Sequence, residues 1–144
     1  MSDSPQNDSL IPIGTRVAFA KTIGESDIYL FAGITGDFSP NHVNVEYMKT
    51  TPYGGIIAHG ALLVGLMSTC STRVVDHATS ARPVVSYGYD RIRFVTPVRV
   101  GDTVTVTYEI VATDVSRGMT TGEVTAINQH GDVVAAATHI LKFL

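Results

Sequence analysis

The sequence predicts an α+β domain in which an antiparallel sheet surrounds one long apolar helix. Helical patterns come first along the chain, four strand-like segments come last, and turn-forming residues separate those strands. A run of helices followed by a run of strands is typical of this class. The length of 144 residues suits one domain. Since no repeat or second domain is visible, we expect a disordered tail over 1–9 and a single domain over 10–144.

The first half of the chain is predicted to form one strand and short helices. The predicted elements are a strand over 14–22, a helix over 25–34 and a short helix over 45–50. Pro40 disfavours helical geometry at Ser39 and has no amide hydrogen to donate. We therefore predict that 36–42 is not regular helix.

The second half is predicted to form a buried helix and four strands. The segment 58–75 begins apolar on nearly every side, which is typical of an enclosed helix. The predicted strands cover 84–95, 103–113, 119–128 and 133–143. Over 103–110, apolar and polar residues alternate strictly, so one face of that strand should be buried. The sheet is therefore expected to wrap around the helix.

Composition excludes several classes of function. The formal net charge is −3 and no basic arm or stripe is present, which argues against a nucleic-acid partner. The single cysteine, Cys70, cannot form an intrachain disulfide, and we expect it to be a small core residue. The most apolar stretch, 56–67, is too short to cross a membrane. With a polar, acidic start over 1–10, a cytoplasmic location is expected.

Asp37 and His42 are the best candidates for chemistry. A carboxylate and an imidazole five residues apart, across a turn that contains proline, can converge on one water. Hydration of an activated double bond needs such a pair, because one group takes a proton from water and a group protonates the adjacent carbon. The alternative is that Asp37 braces the turn and His42 lies on the surface, since Asp, Asn, Ser and Pro commonly form turns.

A second candidate is the start of the apolar helix at 58–61. The first amides of a helix have no intrahelical acceptor and carry partial positive charge. Gly60 would let a carbonyl oxygen approach them without a Cβ in the way. The alternative is that His59 and Gly60 only pack the helix entry tightly. The remaining histidines, which are expected to be solvated or structurally bonded, are His77, His130 and His139. The spacing of histidines and carboxylates predicts no convincing metal site.

The segment 27–68 closely resembles the MaoC-like, (R)-specific enoyl-CoA hydratases, and 86–104 resembles them more loosely. The shared elements are Phe31-Ala32, then the run from Gly36 through Asp37 and Pro40 to His42, then His59-Gly60. The resemblance implies a hot-dog fold, a curved antiparallel sheet around a central helix. It also implies reversible addition of water to trans-2-enoyl-CoA, giving (R)-3-hydroxyacyl-CoA.

The resemblance further implies roles for individual residues. Asp37 and His42 match the catalytic pair, and Gly60 matches the residue whose amide polarises the thioester carbonyl. Asn41, Ala61 and Ser68 are expected on the substrate side. Ser39 stands where the family more often has Asn, and Asn41 is the candidate to replace it in holding the loop.

The resemblance also implies a homodimer or higher homo-oligomer with sites at the subunit interface. No separate cofactor is expected, because coenzyme A is part of the substrate. Two alternatives stay open: a hot-dog acyl-CoA thioesterase and a non-catalytic acyl-CoA-binding subunit. The preferred acyl chain is also open, and the candidates to bind the CoA phosphates are Arg91, Arg93 and Arg99.

Overall fold

The structure, a computed structural model, describes residues 10–144, so the predicted tail over 1–9 lies outside the described residues. Its elements are β1 (Arg16–Thr22), α1 (Glu25–Thr35), α2 (Pro40–Val43), α3 (Val45–Lys49), α4 (Gly60–Val75), β2 (Val84–Phe94), β3 (Thr103–Asp114), β4 (Met119–Ile127) and β5 (Val133–Phe143). Every predicted helix and strand is present, with ends displaced by at most two residues. The α+β prediction is confirmed.

The five strands form one antiparallel sheet in the order β1-β3-β4-β5-β2. Tight turns join β3 to β4 and β4 to β5, and Gly118 and Gly131 in these turns have positive φ angles of 64° and 83°. Strand β2 lies at one edge of the sheet and pairs with β5 alone. Its register shifts twice, and Arg91, at the second shift, has a φ of 52°.

Helix α4 packs on the sheet with one face. Its buried residues follow helical spacing and are Leu63, Leu66, Met67, Cys70, Ser71 and Val74. The prediction that Cys70 is a core residue is confirmed, and its thiol donates to the Val106 carbonyl over 3.4 Å. The opposite face is exposed and carries the small residues Ala61, Gly65, Ser68 and Thr72. The expectation that other structure encloses α4 on all sides is thus wrong for the protomer, because no other part of residues 10–144 covers this face.

The prediction for 36–42 is correct only for its first part. Pro40 begins α2, a helix of four residues that includes His42. Proline is tolerated at the first helical position because that amide would have no intrahelical acceptor and the ring already fixes a helical φ. Ser39 before it stays extended, with φ −53° and ψ 139°, as the residue before proline should. The prediction failed because it treated proline only as a helix breaker.

None of the helices in 10–144 is long and apolar enough to cross a membrane. The apolar stretch 56–67 contributes instead to the start of α4, whose full length is 16 residues.

Candidate active site

His42 is fixed to the segment that leads into α4. The Ile57 amide donates to the Asn41 carbonyl over 3.0 Å, and His42 Nδ1 lies 2.6 Å from the Ile57 carbonyl oxygen. Since a carbonyl oxygen only accepts, Nδ1 carries the hydrogen and Nε2 keeps a free lone pair. The neighbouring Ala58 amide donates to Val98 over 2.8 Å, which ties this segment to the chain after β2. The imidazole is therefore oriented by backbone groups.

Asp37 lies exposed in the turn before α2. Its Oδ1 accepts the Ser39 amide over 3.2 Å, while its own amide donates to Thr35 Oγ1, also over 3.2 Å. The bracing role considered for Asp37 is thus present. It does not exclude a second role, because a carboxylate of Asp37 and a ring nitrogen of His42 come within 4.8 Å of each other. The structure brings the predicted pair together.

His59 is a third member of this corner, and sequence reasoning gave it no role beyond packing. Its side chain is only 2% exposed. Its ring stacks on His42 with centroids 3.6 Å apart and contacts Phe31 at 4.7 Å. Its Nε2 lies 3.0 Å from the Asp37 carbonyl oxygen. The sequence signals for it were a histidine immediately before an apolar helix and the His59-Gly60 pair that this chain shares with the family.

Ligand-type atoms of Asp37, His42 and His59 all lie within 4.8 Å of one another. These three could in principle hold a metal, but the two imidazole planes are only 24° from parallel. The lone pairs of an imidazole lie in the ring plane, so stacked rings aim them side by side rather than at one shared ion. The arrangement suits proton transfer better than tetrahedral coordination.

A cleft of about 250 Å³ opens beside His42. Its walls are mostly apolar and come from 94–98 after β2, from Ile57 and Ala58, and from the first turns of α4 at Gly60 and Leu63. An apolar cleft with a few polar groups at one end is the usual form of a small-molecule site. Gly60, the first residue of α4, lines this cleft, and the first amides of a helix have no acceptor earlier in the helix.

Gly60 lines the cleft, but the space left by its missing Cβ is filled. A Cβ built at Gly60 would lie 2.5 Å from ring carbons of Phe94. In the protomer the Phe94 ring occupies this space, so the role of Gly60 at an approaching substrate carbonyl stays a prediction. Phe94 is 53% exposed, so the ring has room to move.

The other predicted site residues lie outside the cleft. Asn41 contributes its backbone carbonyl to the anchoring of Ile57, while its side chain is exposed. Ala61 and Ser68 lie on the exposed face of α4, so a role for them at the substrate stays a prediction. Among the candidate arginines, Arg99 is next to the cleft, because its backbone bridges Ile57.

The other histidines have the structural or exposed positions expected of them. His77 and His130 are exposed. His139 is fully buried and bonded to Ser86 Oγ and the Tyr108 hydroxyl.

A family model described as "MaoC like domain" matches residues 8–132. The chain belongs to the MaoC-like family. Solved structures confirm that this MaoC-like chain has the predicted hot-dog fold. The (R)-hydratase of A. caviae superposes with a TM-score of 0.83 at 25% identity, over 93% of this chain and 98% of that one. R-Hydratase PhaJ1 from Pseudomonas aeruginosa gives a TM-score of 0.81 at 26% identity, over 92% and 82% of the two chains.

Among sequence relatives, an "(R)-specific enoyl-CoA hydratase" of Rhodospirillum rubrum is 44% identical over 98 residues, 67% of this MaoC-like chain. A "3-hydroxybutyryl-CoA dehydratase" of Methylorubrum extorquens is 36% identical over 101 residues. The matched regions span 64% and 60% of those two proteins. The "(R)-specific enoyl-CoA hydratase" of Aeromonas caviae is 26% identical over 132 residues, 92% of this chain and 95% of that protein.

Proposed function

We propose that this protein adds water reversibly to trans-2-enoyl-CoA, giving (R)-3-hydroxyacyl-CoA. The observation that carries the proposal is the convergence of Asp37 and His42, whose Nε2 is free, beside an apolar cleft that reaches the start of α4. The similarity to the (R)-specific enoyl-CoA hydratases of Rhodospirillum rubrum and Aeromonas caviae supports the reaction class.

In the proposed reaction, a water lies between the Asp37 carboxylate and His42. One of the two groups removes a proton from the water as its oxygen bonds to C3 of the enoyl thioester. The electron pair of the double bond moves toward the thioester carbonyl, and C2 then takes a proton delivered by an acid of the pair. Dehydration runs through the same steps in reverse.

Negative charge develops on the thioester oxygen during this addition. The Gly60 amide, at the positive end of the α4 dipole, would stabilise this charge. Ring movement of Phe94 would open the approach to this amide. The chemistry needs no cofactor besides the coenzyme A of the substrate. Arg99, at the cleft, is the proposed contact for a CoA phosphate, and the proposed location is the cytoplasm.

We further propose that the protein works as a homodimer or higher homo-oligomer. The outer edge of β2 is paired with no other strand among residues 10–144, and free strand edges favour association. The exposed face of α4, which includes Ala61 and Ser68, carries small side chains, so a second copy could approach it closely. Static light scattering that gives a strict monomer at assay concentrations would contradict this part of the proposal.

The function is tested with trans-2-enoyl-CoA substrates of increasing chain length, followed by loss of ultraviolet absorbance of the conjugated thioester. The expected product is the (R)-3-hydroxyacyl-CoA, identified by chiral analysis. Release of free thiol without loss of the double bond would instead indicate a thioesterase. Saturable binding of acyl-CoA with no turnover of any substrate would indicate a non-catalytic subunit. Either result would overturn the proposal.

A further inference from the structure

We propose that His59 is a positioning residue, which holds Asp37 and His42 in their working arrangement without touching the reacting atoms. The inference rests on the proposed hydratase function and concerns the same site. It starts from the His59 imidazole, which is almost wholly buried between the loop 36–42 and α4.

His59 occupies the N-cap position of α4, yet its side chain makes no capping hydrogen bond to the helix. Burying a polar ring costs free energy unless it is bonded to something else. The bond that His59 makes is to the loop: its Nε2 lies 3.0 Å from the Asp37 carbonyl oxygen. The side chain therefore serves the loop rather than its own helix.

This bond fixes the tautomer of His59. A carbonyl oxygen only accepts, so Nε2 carries the hydrogen, and in the neutral ring Nδ1 is left as an acceptor. His59 Nδ1 is buried and has no hydrogen-bond partner among the described residues. A buried nitrogen left unpaired is uncommon and costly. The contacts that hold His59 are therefore those of its other nitrogen and its ring face.

The ring face of His59 supports the second catalytic residue. It stacks on His42 with centroids 3.6 Å apart, while the Ile57 carbonyl holds His42 Nδ1 in the ring plane. Contacts in the plane and on one face together restrict both the position and the tilt of the imidazole. His59 therefore supports the His42 ring from one face, while the Ile57 carbonyl holds the edge of that ring.

Two substitutions separate the two contacts. His59→Phe keeps a ring to stack on His42 but loses the donor to Asp37, and His59→Gln keeps a donor but loses the ring. Each should lower kcat roughly 10–100-fold with KM changed by less than about threefold, because small displacements of catalytic groups cost about that much. His139→Gln is the matched control, since it also replaces a buried histidine. It should lower the melting temperature and leave kcat unchanged below that temperature.

A merely structural role is distinguished by a double-variant cycle with Asp37→Asn. If His59 acts through Asp37, adding His59→Phe to Asp37→Asn should lower the residual kcat by less than about threefold, since coupled residues are not additive. Full additivity of the two effects, or wild-type kcat in both His59 variants, would overturn the inference.

A readout without turnover separates this inference from the proposed function. Nitrogen-15 spectra of the wild-type histidine rings should show the hydrogen on Nε2 of His59 and on Nδ1 of His42, and His59→Phe should shift the His42 signals. Wild-type protein with these tautomers but no hydration of any enoyl-CoA would refute the proposed function and would still support the positioning role of His59. A His59 hydrogen on Nδ1 would refute the positioning role even in an active enzyme.

Discussion

Two regions of the molecule contain a hydrogen-bonded histidine in contact with a second ring, and they differ in what the histidine leaves unused. At the cleft, His42 donates from Nδ1 to the Ile57 carbonyl, and its Nε2 is free. Inside the sheet, His139 is fully buried, with one nitrogen 2.7 Å from Ser86 Oγ and the other 2.9 Å from the Tyr108 hydroxyl. Tyr89 stacks on His139 at 4.1 Å, much as His59 stacks on His42.

The difference shows that stacking and burial alone do not mark a reactive histidine. Burial lowers the pKa of His139 to about 4, so this ring stays neutral at ordinary pH and braces β2, β3 and β5. His42 is half-buried, lines an open cleft and lies near a carboxylate. A nitrogen without a partner among the described residues, on a ring that lines an open cleft, distinguishes the proposed catalytic histidine, His42, from the structural one, His139.

The largest expected effect tests the pair at the cleft, Asp37 and His42. Asp37→Asn and His42→Ala should each lower kcat by roughly 10²–10⁴-fold, the usual contribution of positioned acid and base groups. Asparagine keeps an oxygen to accept the Ser39 amide, so the Asp37 variant should fold normally. Steady-state rates are compared after circular dichroism has verified folding. Near wild-type turnover in either folded variant would remove that residue from the mechanism.

The next effect tests the buried histidine, His139, through the pH dependence of the free energy of unfolding. Below the unfolded-state pKa near 6.5, the unfolded chain binds a proton at position 139 that the folded chain does not, so stability falls as pH falls toward about 4. The full loss from this group is about 3 kcal/mol. Urea unfolding between pH 7 and 4 should show this slope in wild type, and His139→Gln should reduce it. An unchanged slope in the variant would assign the acid sensitivity to other groups.

A smaller effect compares two glycines that make room for aromatic rings. A Cβ at Gly122 would lie 2.1 Å from the Tyr108 ring, as one at Gly60 would lie 2.5 Å from Phe94. Tyr108 is fully buried and cannot move aside, whereas Phe94 is half-exposed. Gly122→Ala should therefore destabilise by about 1–3 kcal/mol, and Gly60→Ala by clearly less. Chemical denaturation of both variants decides the order, and equal losses would show that Phe94 is held as firmly as Tyr108.

The smallest effect is expected at Asn41. Its backbone carbonyl anchors Ile57, and its exposed side chain has no recorded bond within residues 10–144. Asn41→Ala should change the free energy of unfolding by at most about 0.5 kcal/mol and leave kcat nearly unchanged. A large loss of kcat with KM unaffected would restore the side chain to the loop-holding role that the family resemblance implied.

Much of the fold was predictable because its signals are local. The strict alternation of 103–110 and the glycine turns determined the strands and hairpins, and β3 buries the predicted face. Proline at the first position of α2 was misjudged, since its effect depends on where a helix starts. The exposed face of α4 was also missed, because the apolar pattern of 58–75 does not show which face of the helix the rest of the chain covers.

Less of the site was predictable. Asp37 and His42 lie close together in sequence, so their proximity could be expected from the turn between them. Contacts that cross the chain could not, because they depend on how the α4 entry packs against the loop and against the end of β2. Those contacts are the stacking of His59 on His42 and the placement of Phe94 over Gly60.

The anchoring of His42 by a main-chain oxygen bears on how this protein can be redesigned. Ile57 holds the imidazole with its carbonyl, while its side chain forms part of the cleft wall. Exchanging that side chain for a larger or smaller apolar one reshapes the wall without removing the anchor. Under the proposed function, a library of apolar residues at position 57 would vary the acyl chain-length preference and leave the main-chain anchor of His42 in place.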